Sequence, residues 1–512
     1  GSDLVKGSVR VDSPAVTGGG RQGGRRVEAG ETVRLLMAAG GGEPIRGMRG
    51  QPPPVYDRRP MDRVIEHNHV ALDSSRITRF QIFMGRPDRD YTLLVHRIEL
   101  LETASREGTA FVDRFGQYRR ADWPGKLHDE AEFAERLRRE DADLAAHPDL
   151  PGRDRFGGWA AGPQLEATGR FRVQKHDGAW WFVDPDGRLF WSSGITCVRF
   201  NSATIVSGRE AYCEQLPDPE GPFGQFYSGR GARRTYDFFR ANAYRKYGEE
   251  YVDRFFDRVV RRLRSWGINT IGNWSSQESW KRRRVPYTIP VHLRSVPSFV
   301  ATSHMKAGLE KKKWFPDPFA PEFRTALEAH LEGLAEYRDD PWLLGVFIHN
   351  ELPWALGAPW RTGRKGTGIG ALCLQLNDTS LAAKGVLLER LRDRYTEIGG
   401  LNDAWGTAFG AWNDVREPFS LTDEQRERAA ADLRSLDRVV AEQYFRVCRE
   451  SMDAKLPGVP YLGCRFSGMY DRHIVDVARR YCDVVSFNIY PYMPDERRPD
   501  ELAPEMDSPV VI

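Results

Sequence analysis

Pro341-Trp342-Leu343-Leu344-Gly345-Val346-Phe347-Ile348-His349-Asn350-Glu351-Leu352-Pro353-Trp354 decides how the rest of the chain is read. From Leu344 to Ile348 it is an almost unbroken apolar run, too short for a helix and suited to a strand buried on both faces, as parallel strands in α/β proteins are. It then turns abruptly polar. His349, Asn350 and Glu351 fall at the strand's C-terminal end, where (β/α)-barrel proteins carry their chemistry, and Pro353 stops the strand from continuing.

On both sides of this stretch, strand and helix patterns alternate. Leu189 to Val198 reads as a buried strand running into Arg199, Phe200 and Asn201. Between Tyr236 and Trp266, Val252, Phe255, Phe256, Val259, Val260, Leu263 and Trp266 recur at three- and four-residue steps, the apolar stripe of a long helix. Short strands follow at Thr270-Ile271 and at Tyr287 to Leu293, the second with His292 near its end. A helix with Phe323, Leu327, Leu331 and Leu334 on one face then precedes the central stretch. Beyond it come helices over Leu381 to Tyr395 and Thr422 to Leu456, a strand at Tyr461 to Phe466, a helix at Ile474 to Tyr481, and strands at Val484 to Tyr490 and Pro509 to Ile512. The count is seven strands in β/α alternation, so the expected fold is an α/β (β/α)8 TIM barrel that reaches its seventh strand at the end of the sequence.

Upstream the pattern differs. Residues 1–50 are rich in Gly and Arg, and strands are expected at Arg63-Val64-Ile65, Ile77 to Met84 and Tyr91 to Leu101, with a turn at 85–88. The expected division is an all-β, jelly-roll-like sandwich over residues 1–104, a connector over 105–165 with a helix from His128 to Leu144, and the barrel over 166–512. Hairpin signals at His176-Asp177-Gly178 and Asp184-Pro185-Asp186-Gly187 place antiparallel strands just before the first barrel strand.

Composition limits the partners. With 75 basic and 72 acidic residues the net charge is +3 over 512 residues, which gives no field for nucleic acid or a membrane surface. The basic runs at 281–284 and 311–313 read as solvated surface. No run of about 18 apolar residues predicts a membrane span, and no signal-peptide pattern follows the opening Gly1-Ser2. The six cysteines (Cys197, Cys213, Cys373, Cys448, Cys464, Cys482) are scattered and read as buried thiols. His67 and His69 share one face of a strand, but without a third ligand they do not make a metal site. The 14 tryptophans are the compositional oddity, and flat aromatic surfaces suit sugar rings.

Four motifs then carry a resemblance: Trp180-Trp181-Phe182-Val183-Asp184-Pro185-Asp186-Gly187, Asn269-Thr270-Ile271-Gly272-Asn273-Trp274-Ser275, Asn350-Glu351, and Leu401-Asn402-Asp403-Ala404-Trp405-Gly406-Thr407. With Trp123-Pro124-Gly125-Lys126, they make residues 105–512 resemble the β-agarases of glycoside hydrolase family 50, within the retaining clan built on (β/α)8 barrels. The resemblance implies that Glu351 is the acid/base, that Asn350 contacts the sugar's 2-hydroxyl, and that a nucleophilic Glu follows the seventh strand, just beyond Ile512. It implies a polysaccharide or oligosaccharide substrate, no metal or organic cofactor for the chemistry, and a secreted or periplasmic setting.

Other residues at strand ends join the expected sugar-binding set: Arg199, Asn201, Asn273, Trp274, His292, Trp354, Arg465, Asn488 and Tyr490. His349 is expected to pack or to orient Glu351, because neighbouring strand residues point to opposite sides. Two other readings remain open at this point, a clan member acting on another β-linked polysaccharide and a carbohydrate-binding protein without catalysis.

Overall fold

A computed structural model describes residues 4–12, 20–28, 34–36, 62–64, 79–84, 95–96, 110–293, 295–304, 310–356, 367–375, 380–467, 472–489 and 507–512. The chain forms two compact units, one of Gly1–Arg139, Phe200–Tyr251 and Lys306–Leu309, the other of Glu140–Arg199, Val252–Met305 and Glu310–Ile512. Residues 200–251, expected within the barrel region, group with the N-terminal unit.

In the first unit the strands Leu4–Asp12, Gly20–Glu28 and Arg79–Met84 form one antiparallel sheet with Leu4–Asp12 in the middle. Arg34–Leu36 and Asp62–Val64 pair in parallel. Two of the expected strands thus fall close to their places, while 91–94 and 97–101 lie outside the described residues, as do His67 and His69. The single helix expected from Tyr236 to Trp266 is two helices, Phe238–Tyr247 and Tyr251–Ser265. Gly248 separates them at φ 77°, a left-handed backbone value that an L side chain adopts only at a cost.

The second unit is built on parallel pairing. Gly194–Ile195, Thr270–Ile271, Tyr287–Val291 and Leu343–Ile348 form one sheet in that order, each pair parallel. The ladder continues from Val346 to Tyr461 and from Phe466 to Phe487, and ends with Val485–Ser486 against Val510–Val511. Seven segments in chain order therefore lie side by side, as the alternation predicts. Leu343–Ile348 is buried along its whole length, which explains its apolar run. Gly345 is dictated by the next strand. A Cβ there would meet Leu462 Cγ and the Pro460 carbonyl oxygen at 2.7 Å, too close for a side chain while Val346 N donates to that carbonyl at 2.9 Å.

Helices cover this sheet. Ala430–Lys455 is the longest at 26 residues, and Leu433, Leu436, Val440, Tyr444, Phe445, Val447, Cys448 and Met452 are buried on it. This is helical spacing, and each large apolar side chain so buried contributes about 1.5–3 kcal/mol. The expected helix over 422–456 is broken at Ala429, where Asp423–Arg428 ends and Ala430–Lys455 begins.

The expected strand Leu189 to Val198 is two strands in two sheets. Leu189–Phe190 pairs antiparallel with Ala179–Val183, which pairs with Arg172–His176. Only Gly194–Ile195 enters the parallel sheet. Sequence reading also passed over the antiparallel pair Ser298–His304 and Glu310–Pro316 that lies between the third strand and helix Pro321–Glu332.

The hairpin motif around Asp184 builds a buried clasp. Asp154 Oδ1 accepts from the backbone N–H of Phe156 at 2.9 Å and of Gly158 at 2.7 Å; Asp184 Oδ1 accepts from Asp186 at 3.0 Å and Arg188 at 2.9 Å. Burial first, and the neighbouring Asp154 carboxyl second, push Asp184 up to about 7.

Candidate active site

Several residues at the C-terminal ends of the parallel strands share a feature that no periodicity encodes. Cys197, Trp274, His349, Glu351 and Arg465 all have φ between 53° and 63°, the left-handed region that costs a non-glycine residue on the order of 1–3 kcal/mol. The strand ends are tied down by their neighbours. His349 N donates to the Val291 carbonyl at 2.7 Å, and Glu351 N lies 3.3 Å from the Cys464 carbonyl and 3.2 Å from that of Arg465. This kinked geometry ends the ladder and fixes where each side chain points.

His349 turns into the interior, 2% exposed. Its ring stacks on Phe323 at 6.2 Å, meets Trp314 at 5.6 Å, and places Nδ1 2.9 Å from the Tyr444 hydroxyl. Glu351 is only part-buried. Its Oε1 accepts a 2.7 Å hydrogen bond from Asn488 Nδ2, which also lies 3.3 Å from Asn350 Oδ1. Asn488 Oδ1 in turn accepts from Arg465 Nε at 2.7 Å, and Arg465 N donates to Ser486 Oγ at 3.0 Å. The Arg465 guanidinium carbon stands 4.8 Å from the Trp274 ring centroid and 5.4 Å from that of Phe347, within cation–π range of both.

The structure thus brings together five of the residues singled out in the sequence: Asn350, Glu351, Arg465, Asn488 and Trp274. Asn273 lies beneath them, 1% exposed, accepting from the Thr288 hydroxyl at 2.8 Å. His292 is half-buried just past Val291, and Arg199 is exposed past the first strand. Asn201 is exposed and belongs to the other compact unit. Tyr490 lies outside the described residues.

Trp354 corrects its expectation. It is 1% exposed, stacked on Phe445 at 5.3 Å and 12° and set edge-on to Phe315 at 4.8 Å, so its indole is part of the core under the long helix and not a surface for sugar. Cys197 is also a correction, being exposed where a buried thiol is expected. Ser486 and Phe347 were missed. The signal for Ser486 is present in Val484-Val485-Ser486-Phe487-Asn488, where it shares the two-residue period of Asn488.

The motif over 401–407 is structural. Asn402 Oδ1 accepts from Phe409 N at 2.9 Å and from the Thr407 hydroxyl at 2.8 Å, Gly406 ends its helix at φ 71°, and buried Trp405 donates to Asp432 at 2.7 Å. Among the described residues no group of three or more His, Cys, Asp and Glu side chains is placed to hold a metal ion. No described helix is long and apolar enough to cross a membrane.

An acid at the end of the fourth of seven described parallel segments, beside an amide and an arginine-capped indole, marks the candidate site of an α/β protein with a glycosidase-like fold. Comparison with known proteins narrows the class. The family described as beta-galactosidase (Glyco_hydro_42) matches residues 316–509. Beta-agarase B of Vibrio sp. (strain JT0107) is 26% identical over 519 residues, covering 94% of this chain and 53% of that protein. Beta-agarase A of the same strain is 27% identical over 459 residues, covering 82% and 44%. The chain spans about half the length of the curated relatives it matches. Among solved structures, an agarase matches with a TM-score of 0.77 at 26% identity and an exo-β-agarase with 0.75 at 26%, each covering 100% of this chain and 76% of the other. In sequence and in fold the chain is similar to β-agarases.

Proposed function

We propose that this protein is a retaining glycoside hydrolase that cleaves β-galactosidic linkages in agarose-like galactans or their oligosaccharides. The observation that carries the reading is Glu351. It sits part-buried at the end of the Leu343–Ile348 strand with Asn350 beside it, on a chain similar to two β-agarases.

The proposed mechanism is double displacement. Glu351 gives a proton to the leaving oxygen while a second carboxylate, about 5–5.5 Å away, attacks the anomeric carbon; Glu351 then takes a proton from the water that releases the sugar. The second carboxylate is proposed to follow the seventh strand segment, Val510–Val511, at the same end of the sheet. Asn350 is assigned to the sugar's 2-hydroxyl and the Trp274 face to stacking on a pyranose ring. The strand ladder supports completion as a (β/α)8 barrel, and the antiparallel strands near the N-terminus support an accessory β-sandwich. A polymeric substrate fits a secreted or periplasmic enzyme.

The test is proton NMR of agarose oligosaccharides during hydrolysis. Release of the β-anomer before mutarotation supports the proposal, and first appearance of the α-anomer rules out retention. Binding of these oligosaccharides without any product would favour a carbohydrate-binding protein.

A further inference from the structure

Arg465 and Asn488 were picked from the sequence as sugar-binding residues, but their hydrogen bonds give them a different task. A guanidinium carries only donors, so the atom Asn488 presents to Arg465 Nε at 2.7 Å must be its carbonyl oxygen. That choice leaves the amide no freedom. Its NH2 group must face Glu351, where Nδ2 meets Oε1 at 2.7 Å.

Arg465 is itself held from two sides, by the Ser486 hydroxyl on its backbone N–H at 3.0 Å and by the Trp274 and Phe347 rings on its guanidinium. Asn488 is anchored through its backbone, whose N–H donates to the Phe466 carbonyl at 2.7 Å. A carboxyl oxygen that accepts from an amide N–H cannot present its own proton along that line. When Glu351 is protonated, the acidic hydrogen therefore sits on the other oxygen, Oε2.

We infer that Arg465 and Asn488 form a positioning relay that reserves Oε1 of Glu351 as an acceptor and makes Oε2 the oxygen that delivers and recovers the proton. The inference rests on the reading of Glu351 as the acid/base. It makes Arg465 and Asn488 positioning residues with no need to touch substrate. It also gives the strained backbone of Arg465 a purpose, since φ 54° aims the side chain across the strand ends.

The test cuts the relay at each link in the full chain, with Asn488→Ala, the isosteric Asn488→Asp, and Arg465→Met. One readout is the pH profile of kcat/KM on agaro-oligosaccharides and on aryl galactosides, whose good leaving groups need little acid help. The other is a direct carbon-13 NMR titration of the Glu351 carboxyl, assigned by its loss in Glu351→Gln, which does not depend on turnover. Loss of a donor to the charged form should move both the alkaline limb and the carboxyl titration of Asn488→Ala to higher pH. Oligosaccharide turnover should fall about tenfold with KM kept, and aryl galactoside turnover should hardly change.

Asn488→Asp, which keeps its bond to Arg465 but sets like charge against Glu351, should shift further and serves if the alanine variant does not fold. A raised KM with superimposable titrations would overturn the relay and return both residues to sugar binding. A shifted titration in a protein that hydrolyses no galactan would uphold the relay and remove the proposed substrate.

Discussion

The Tyr444 hydroxyl lies 2.9 Å from Nδ1 of His349 and 3.2 Å from the Ile348 carbonyl. The carbonyl can only accept, whereas Nδ1 donates to or accepts from the same hydroxyl according to the imidazole's tautomer. Burial above all, then the proximity of His292 and His330, pushes the imidazole down to about 3. His349 is therefore neutral under ordinary conditions, although it stands two residues from the candidate acid.

Stability should follow that histidine on the acid side. Its folded value lies below the unfolded value of about 6.5, so the native state resists protonation there. The contribution is complete above about pH 6.5 and is lost as pH falls towards 3. Thermal melts between pH 4 and 8 should show this decline. In Tyr444→Phe, a buried imidazole nitrogen without its hydrogen-bond partner should lower stability by about 1–3 kcal/mol. A Tyr444→Phe protein as stable as the parent would refute a contribution from this hydrogen bond.

Glu351→Gln should reduce hydrolysis of oligosaccharides about 10²- to 10⁴-fold while leaving their affinity in place, because general acid catalysis is lost and the binding surface is not. Isothermal titration beside a reducing-sugar assay separates the two effects. Undiminished turnover would take Glu351 out of the mechanism.

The clasp between Asp154 and Asp184 has the opposite sign to His349. Asp184 is raised to about 7 in the folded protein, above its unfolded value of about 3.9, so its contribution is full below that lower value and lost as pH rises through about 7. Asp184→Asn removes the titrating group and should flatten this slope. The variant should melt higher than the parent at pH 8, by about 2–4 °C for each kcal/mol regained. Parallel melting curves of parent and variant across pH 4 to 8 would count against a raised Asp184.

Trp405→Phe tests whether the 401–407 motif is structural. The change removes the 2.7 Å bond to Asp432, whose carboxylate also accepts from the Tyr395 hydroxyl at 2.5 Å and pairs with Arg394 at 2.8 Å. A loss of about 1–3 kcal/mol in stability with unaltered KM is expected from urea unfolding and kinetics. A raised KM in a fully stable variant would place the motif at the site.

Much of this arrangement is legible in the sequence because its signals are local. The apolar run from Leu343 and its polar break at His349 mark the fourth strand and its acid, and the β/α alternation gives the order of the parallel ladder. Helix ends are less legible. Gly248 and Ala429 divide patterns that look continuous, since an apolar stripe can carry on across a break in the backbone.

What the sequence alone determined is the order of the parallel segments, the apolar stripes of the main helices between them, and the placing of Asn350 and Glu351 at a strand end; these depend on side-chain period and on residues within a few positions of each other. Tertiary structure decided which side chains meet. Trp354 goes to the core because Phe445, far along the chain, offers it a face, while Asn488 reaches Glu351 because the fifth strand brings Arg465 between the fourth and the sixth. The left-handed kinks at Trp274, His349, Glu351 and Arg465 are of the same kind. Each costs local energy, so it persists only where hydrogen bonds and packing from distant segments hold it, and no local pattern can announce that.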